Sequence, residues 1–91
     1  MMLGLYAVYD RCSRVYDGPI PQSNDDTAIR AFTQMCNNPQ STVAQSPEDF
    51  TLFVVGQFDN ATGEIIPQVP EKLIGAHEIA MPESISAGGT A

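Results

Sequence analysis

Hydrophobic and polar positions alternate most clearly near the middle of the chain. Phe50, Leu52, Val54 and Phe58 alternate with Thr51, Phe53, Val55 and Gln57, the period-two pattern of a β-strand with one face on a core. The run Asp59-Asn60-Ala61-Thr62-Gly63-Glu64 that follows is made of turn formers. Gly63 stands where a type I turn and a left-handed residue reverse the chain into a hairpin. A second alternating run opens the chain: Leu3, Leu5, Ala7 and Tyr9 interleave with Gly4, Tyr6, Val8 and Asp10, which predicts a strand over residues 3–9. Two long strands with matching alternation are the natural centre of a small sheet, so the first is expected beside residues 51–58.

Between them the period changes. Asp10 to Arg14 reads as a polar turn, and Val15-Tyr16 as a short returning strand that Asp17-Gly18-Pro19 breaks. Ile20-Pro21 reads as an extended linker, because proline pushes the residue before it out of helical geometry. Ala28, Ile29, Phe32, Met35 and Cys36 then recur at three- and four-residue intervals, one apolar stripe of a helix predicted over residues 24–37. Ser23 or Asn24 caps it, Asp25 and Asp26 sit at the positive end of its dipole, and Asp26 and Arg30 form a favourable pair on the wet side. Asn37-Asn38-Pro39 ends it, with asparagine taking the left-handed conformation after the last turn.

Residues 40–47 are expected to be a surface connection. Ile65-Ile66 makes a short strand that Pro67 and Pro70 confine to an edge, residues 71–79 a helical turn or a last strand, and residues 81–91 a mobile tail. The fold class expected is α+β, with residues 1–80 as one compact domain. A small antiparallel sheet of three or four strands carries one helix (about 24–37) on one face, its open edges available for self-association.

Composition narrows the picture. With 91 residues, 43% hydrophobic and 16% charged, the chain is a globular domain and not a disordered one, too small for a deep cleft between two lobes. Four Lys and Arg against eleven Asp and Glu give a net charge of −7, which opposes nonspecific contact with a polyanion. Cys12 and Cys36 lack the spacing of a redox motif or zinc knuckle and are expected to be free thiols. The apolar start meets Asp10 too early for a leader or a membrane span, so the expectation is a soluble intracellular protein without membrane contact. Asn60-Ala61-Thr62 matches a glycosylation triplet but reads as turn composition.

Catalytic and metal chemistry find little to build on. His77 is the lone histidine and its neighbours carry no nucleophile signature. The carboxylates Asp25-Asp26, Glu48-Asp49 and Asp59 with Glu64 fall at a helix start, a strand start and a hairpin end, where they serve the local backbone. Ala61 interrupts any calcium loop. No cofactor, metal or enzymatic activity is therefore expected. The constellation that stands out is Tyr9, Arg11, Arg14 and Tyr16. Half of the basic residues and two of the three tyrosines gather on one N-terminal turn, the pairing of stacking rings and cations that binds single-stranded nucleic acid. The plainer reading is two hairpin tyrosines half-buried against the sheet, with solvated arginines and the diluting carboxylates Asp10 and Asp17.

In order along the chain stand Leu5-Tyr6-Ala7-Val8-Tyr9-Asp10, the helix-opening run from Asn24 to Phe32, Asn38-Pro39, and Ser46-Pro47-Glu48-Asp49-Phe50-Thr51-Leu52. Gly56-Gln57-Phe58-Asp59, Thr62-Gly63-Glu64 and Pro67 follow. Over residues 3–73 this order resembles the small nonstructural protein of gokushovirus-type microviruses, icosahedral phages with circular single-stranded DNA genomes. The resemblance implies an early, non-virion, DNA-binding protein of genome replication, made in the cytoplasm of the bacterial host, with no catalytic motif to carry over. Two roles follow. A homo-oligomer binds single-stranded DNA through Tyr9, Arg11, Arg14 and Tyr16, several copies adding avidity. Alternatively, an acidic adaptor docks on phage or host replication proteins without touching DNA.

Overall fold

The computed structural model describes residues 1–80; the expected tail, residues 81–91, lies outside the described residues. Strand β1 (Met2–Asp10) turns into β2 (Val15–Gln22), helix α1 (Asp25–Asn37) crosses the sheet, and the short helix α2 (Thr42–Gln45) with a 3-10 turn at Pro47–Asp49 leads into β3 (Phe50–Asp59). Strand β4 (Ile65–Gly75) and helix α3 (Ala76–Ala80) complete the order. The four strands are antiparallel, in the order β2-β1-β3-β4. The two alternating runs are thus the central pair of an α+β fold, with Leu3 opposite Phe58 and Tyr9 opposite Thr51.

Local chemistry accounts for the connections. Asn24 caps α1, its side-chain oxygen accepting from the Thr27 amide at 2.8 Å and the Thr27 hydroxyl at 2.9 Å. At the far end the Ser41 hydroxyl donates to the Met35 carbonyl at 2.8 Å. It also accepts from the Ala44 amide at 3.1 Å, so one serine finishes one helix and starts the next. In the β3–β4 hairpin Gly63 has φ 82°. Its amide donates to the Asp59 carbonyl at 2.7 Å, and the Asp59 carboxylate accepts from the Ala61 amide at 2.9 Å, the turn read from the sequence.

One core lies between α1 and the sheet, formed by Tyr6, Ala28, Phe32, Val43, Leu52 and Ala76, with Val8, Ile29, Phe50 and Val54 packed around it. Tyr6 ties the layers together. Its ring lies over Gly4, where an added Cβ would meet the phenol oxygen, and its hydroxyl donates to Asp25 in the first turn of α1 at 2.7 Å. Burial, followed by this bond and the charge of Asp25, pushes the phenol up to about 12.

Several expectations are corrected. The second strand does not stop at Asp17: a bulge opposite Ala7 takes up Gly18 and Pro19, and the ladder resumes with Ile20 opposite Tyr6 and Pro21 opposite Leu5. Residues 40–47 are more than a surface connection, because α2 inserts Val43 into the core. Asn38 ends α1 in an extended conformation, φ −93°, leaving the last carbonyls to Ser41. The edge strand after the hairpin is long, since Pro67 and Pro70 are tolerated where no further strand needs their amides. Residues 71–79 divide, the first part completing β4 and the rest forming α3.

Candidate nucleic-acid interface

Because α1 covers only one side of the sheet, the other side is left without a covering layer. The register shows what it displays. Across β2, β1, β3 and β4 the rows on that side run Tyr16–Tyr9–Thr51–Gly75, then Ala7–Phe53–Lys72, then Pro21–Leu5–Gly56–Pro67, then Leu3–Phe58–Ile65. Apart from Thr51 and Lys72 these are apolar, aromatic or glycine positions, of which Leu5 and Ala7 are buried among their neighbours. A bulge at Val55, between the pairs Tyr6 with Val54 and Leu5 with Gly56, reverses the phase of β3 within the strand. Phe58 therefore lies on the open side, although uninterrupted alternation would place it with Leu52 and Val54.

At one corner of this face three rings come together. Tyr9 and Tyr16 are cross-strand partners with centroids 4.7 Å apart, and the Phe53 ring stands edge-on to both, at 6.2 Å from Tyr9 and 5.4 Å from Tyr16. Such tilted and edge-to-face pairs are the favoured aromatic geometry. They leave Tyr16 45% exposed.

The two tyrosines of the sequence constellation are brought together; the arginines are placed differently. Arg11 is tied to Asp49, its Nε and Nη2 donating to one carboxylate oxygen at 3.2 and 3.0 Å and its amide to the Asp49 carbonyl at 2.8 Å. Its charge is therefore largely offset. Arg14 closes the β1–β2 turn with φ 65°, and among the described residues no carboxylate lies within ion-pair distance of it. The cation on the open face itself is Lys72, whose ammonium donates to Glu78 at 2.9 Å and holds that carboxyl below its usual range.

Phe53 was missed as a site residue because it falls in the phase assigned to the wet side of the strand. The signal was present all the same: Phe53 and Val55 are poor choices for a solvated face.

Charge is sorted between the two sides. The four strand carboxylates, Asp10, Asp17, Asp59 and Glu71, pair with Val15, Val8, Met2 and Val54, all on the helix side of the register. None of the open-face rows contains an Asp or Glu. The remaining described carboxylates belong to α1, the 3-10 turn, the hairpin turn and α3. Elsewhere, Cys12 and Cys36 are free thiols, and burial pushes the Cys36 thiol up. His77 is half-exposed on α3. Among the described residues no three His, Cys, Asp or Glu side chains converge as a metal site, and no helix is long and apolar enough to cross a membrane.

Residues 3–79 match the family model described as Phage ORF5 protein. No curated protein and no solved structure matches the chain.

Proposed function

Because the chain belongs to the Phage ORF5 protein family, we propose that it serves the replication of a single-stranded DNA phage of the gokushovirus type by binding the single strand on the helix-free face of its sheet. The observation that carries this reading is the Tyr9–Tyr16–Phe53 cluster on a face whose rows hold no carboxylate. A net charge of −7 argues against broad phosphate neutralisation. It acts less against bases stacked on this side, because the strand carboxylates are on the other and Glu78, the carboxylate that reaches this side, is paired with Lys72.

The protein acts without chemistry of its own, in the cytoplasm of the infected cell. Prolines on both edge strands, Pro19 and Pro21 on β2 and Pro67 and Pro70 on β4, weaken pairing from edge to edge. Copies therefore associate by their faces or by lying side by side along one strand of DNA, where avidity raises a modest single-site affinity.

Fluorescence anisotropy of a labelled single-stranded oligonucleotide tests the reading, with a duplex control. Saturable binding with a shallow salt dependence is expected, a log–log slope of about −0.7 with Arg14 as the cation engaged, since Arg11 and Lys72 are paired within the fold. Tyr16→Ala, at an exposed position, is expected to weaken it about tenfold or more while the circular dichroism of the fold is kept. Absence of saturable binding at micromolar protein and low salt, or equal affinity for duplex, would sink it.

A further inference from the structure

The helix side of the sheet is incompletely covered. Helix α1 packs over β1 and β3 and leaves the flank of β2 open, so that two adjoining concavities, about 300 and 210 Å³, run between α1 and β2 and share Val8, Asp17 and Met35. The smaller has largely apolar walls and the larger a mixed lining, and four exposed large hydrophobic residues border them: Val15, Tyr16, Ile20 and Met35, 55%, 45%, 50% and 39% exposed. Asp10 and Asp17 line the same groove. The Asp10 carboxylate is held by the Cys12 amide and the Ser13 hydroxyl, both at 2.9 Å, while Asp17 accepts from no protein donor among the described residues.

We propose that this groove is a docking site for a cationic amphipathic segment of another protein, with an apolar side chain seated between Met35 and Val8 and a Lys or Arg held by Asp17 and Asp10. Charge complementarity selects this occupant. A second copy meeting the groove isologously would set Asp10 and Asp17 against their own counterparts. Residues 81–91 carry one Glu and no Lys or Arg, so the chain's own terminus offers no complement. The carboxylates likewise repel a phosphate backbone. Among the described residues no Lys or Arg lies within ion-pair distance of Asp10 or Asp17. Arg11 is bound to Asp49, Arg14 on the neighbouring turn pairs with neither, and Arg30, two residues from the buried Ala28 and Phe32, lies on the outer face of α1. The groove and the open rows are on opposite sides of the sheet and share only Tyr16, at the edge of both, so the two readings are tested separately.

Amide chemical shifts of the isotope-labelled full chain test it, with synthetic peptides as probes: one alternating leucine with lysine, one leucine with glutamate, one serine with lysine. The leucine–lysine peptide is expected to move the amides of Val15 to Gly18, of Ile20 and of Met35, and to bind about tenfold or more tighter than the other two. Asp17→Lys is expected to weaken it by about the same factor, while Asp26→Lys, the same charge change on the outer face of α1, leaves it unchanged. Phe53→Ala is expected to leave peptide binding intact, whatever it does to DNA. Equal binding of the serine–lysine peptide, or equal loss in Asp26→Lys, would overturn the proposal in favour of general charge attraction. It is overturned too if the groove amides shift with protein concentration alone, which would make a second copy the occupant, or if a single-stranded oligonucleotide moves them.

Discussion

The two faces of this sheet are both apolar, and only one is covered. On the helix side Tyr6 and Leu52 are buried beneath Phe32 of α1; on the other, Tyr9, Tyr16 and Phe53 have only one another. An antiparallel sheet ordinarily turns polar residues toward water on the side without a helix. Here the strand carboxylates take the opposite arrangement, with Asp10, Asp17, Asp59 and Glu71 on the helix side. Helix α1, with Val43 of α2 and Ala76 of α3, makes the core on one side. The other side presents an apolar and aromatic surface, the kind that marks a binding face.

The sharpest way to break this comparison is to empty a ring position on each side. Phe32 is 1% exposed, and Phe32→Ala is expected to destabilise by about 3–5 kcal/mol, a large share of what a small domain has. Phe53→Ala, partly exposed on the open face, is expected to cost only about 1 kcal/mol while removing part of the stacking platform. Urea denaturation of the two variants measures both. Equal losses would mean that the open face is a second core, and the functional reading of it would fail.

Gly4 tests how the covered side is held. A Cβ there would collide with the Tyr6 phenol, so Gly4→Ala must displace the ring and with it the bond to Asp25. The expected loss is about 1–3 kcal/mol, read from the shift in thermal midpoint. Leu3→Ala, one position away on the open face, is expected to change the fold's stability less.

Tyr6 itself gives a smaller effect with a distinct pH signature. The phenol is raised from 10.0 to about 12 in the folded chain, so the folded state disfavours tyrosinate. Its stabilising contribution is whole below pH 10, the unfolded value, and is lost as pH rises from 10 to 12. Tyr6→Phe, which keeps the ring and removes the hydroxyl, is expected to cost about 1 kcal/mol at neutral pH. It should also flatten the alkaline decline of the denaturation midpoint relative to the parent. A decline of unchanged steepness would place the responsible group elsewhere.

What could be read from the sequence follows from how local each signal is. The cap at Asn24, the stripe through Ala28 and Phe32 and the turn at Gly63 depend on neighbours a few positions away, and all three stand where the pattern put them. The central pair was legible because β1 and β3 alternate in the same way. Bulges erased the rest. Gly18-Pro19 and Val55 each insert residues that change the phase of a strand, and a period-two reading carried through such a point assigns the following side chains to the wrong face. Uninterrupted alternation puts Phe58 in phase with Leu52 and Val54, whereas the register sets it on the open side. Pairing partners are equally invisible to local pattern: nothing near Arg11 announces that Asp49, 38 positions away, holds it, so a cation that looks available in the sequence is not free in the fold.

The smallest expected effect separates ring stacking from charge on the open face. Arg14 holds φ 65°, a conformation that crowds Cβ against the backbone in any residue but glycine. Arg14→Gly is therefore expected to stabilise the fold by about 0.5–1 kcal/mol while removing one cation from the tyrosine hairpin. If stacking dominates, oligonucleotide affinity falls only slightly and the salt slope becomes shallower by about 0.7, the share of one phosphate contact on a single strand. A loss exceeding that of Tyr16→Ala would reverse the order of importance. The rings would then be a packing feature of the uncovered sheet, and the turn would be the element that meets the phosphates.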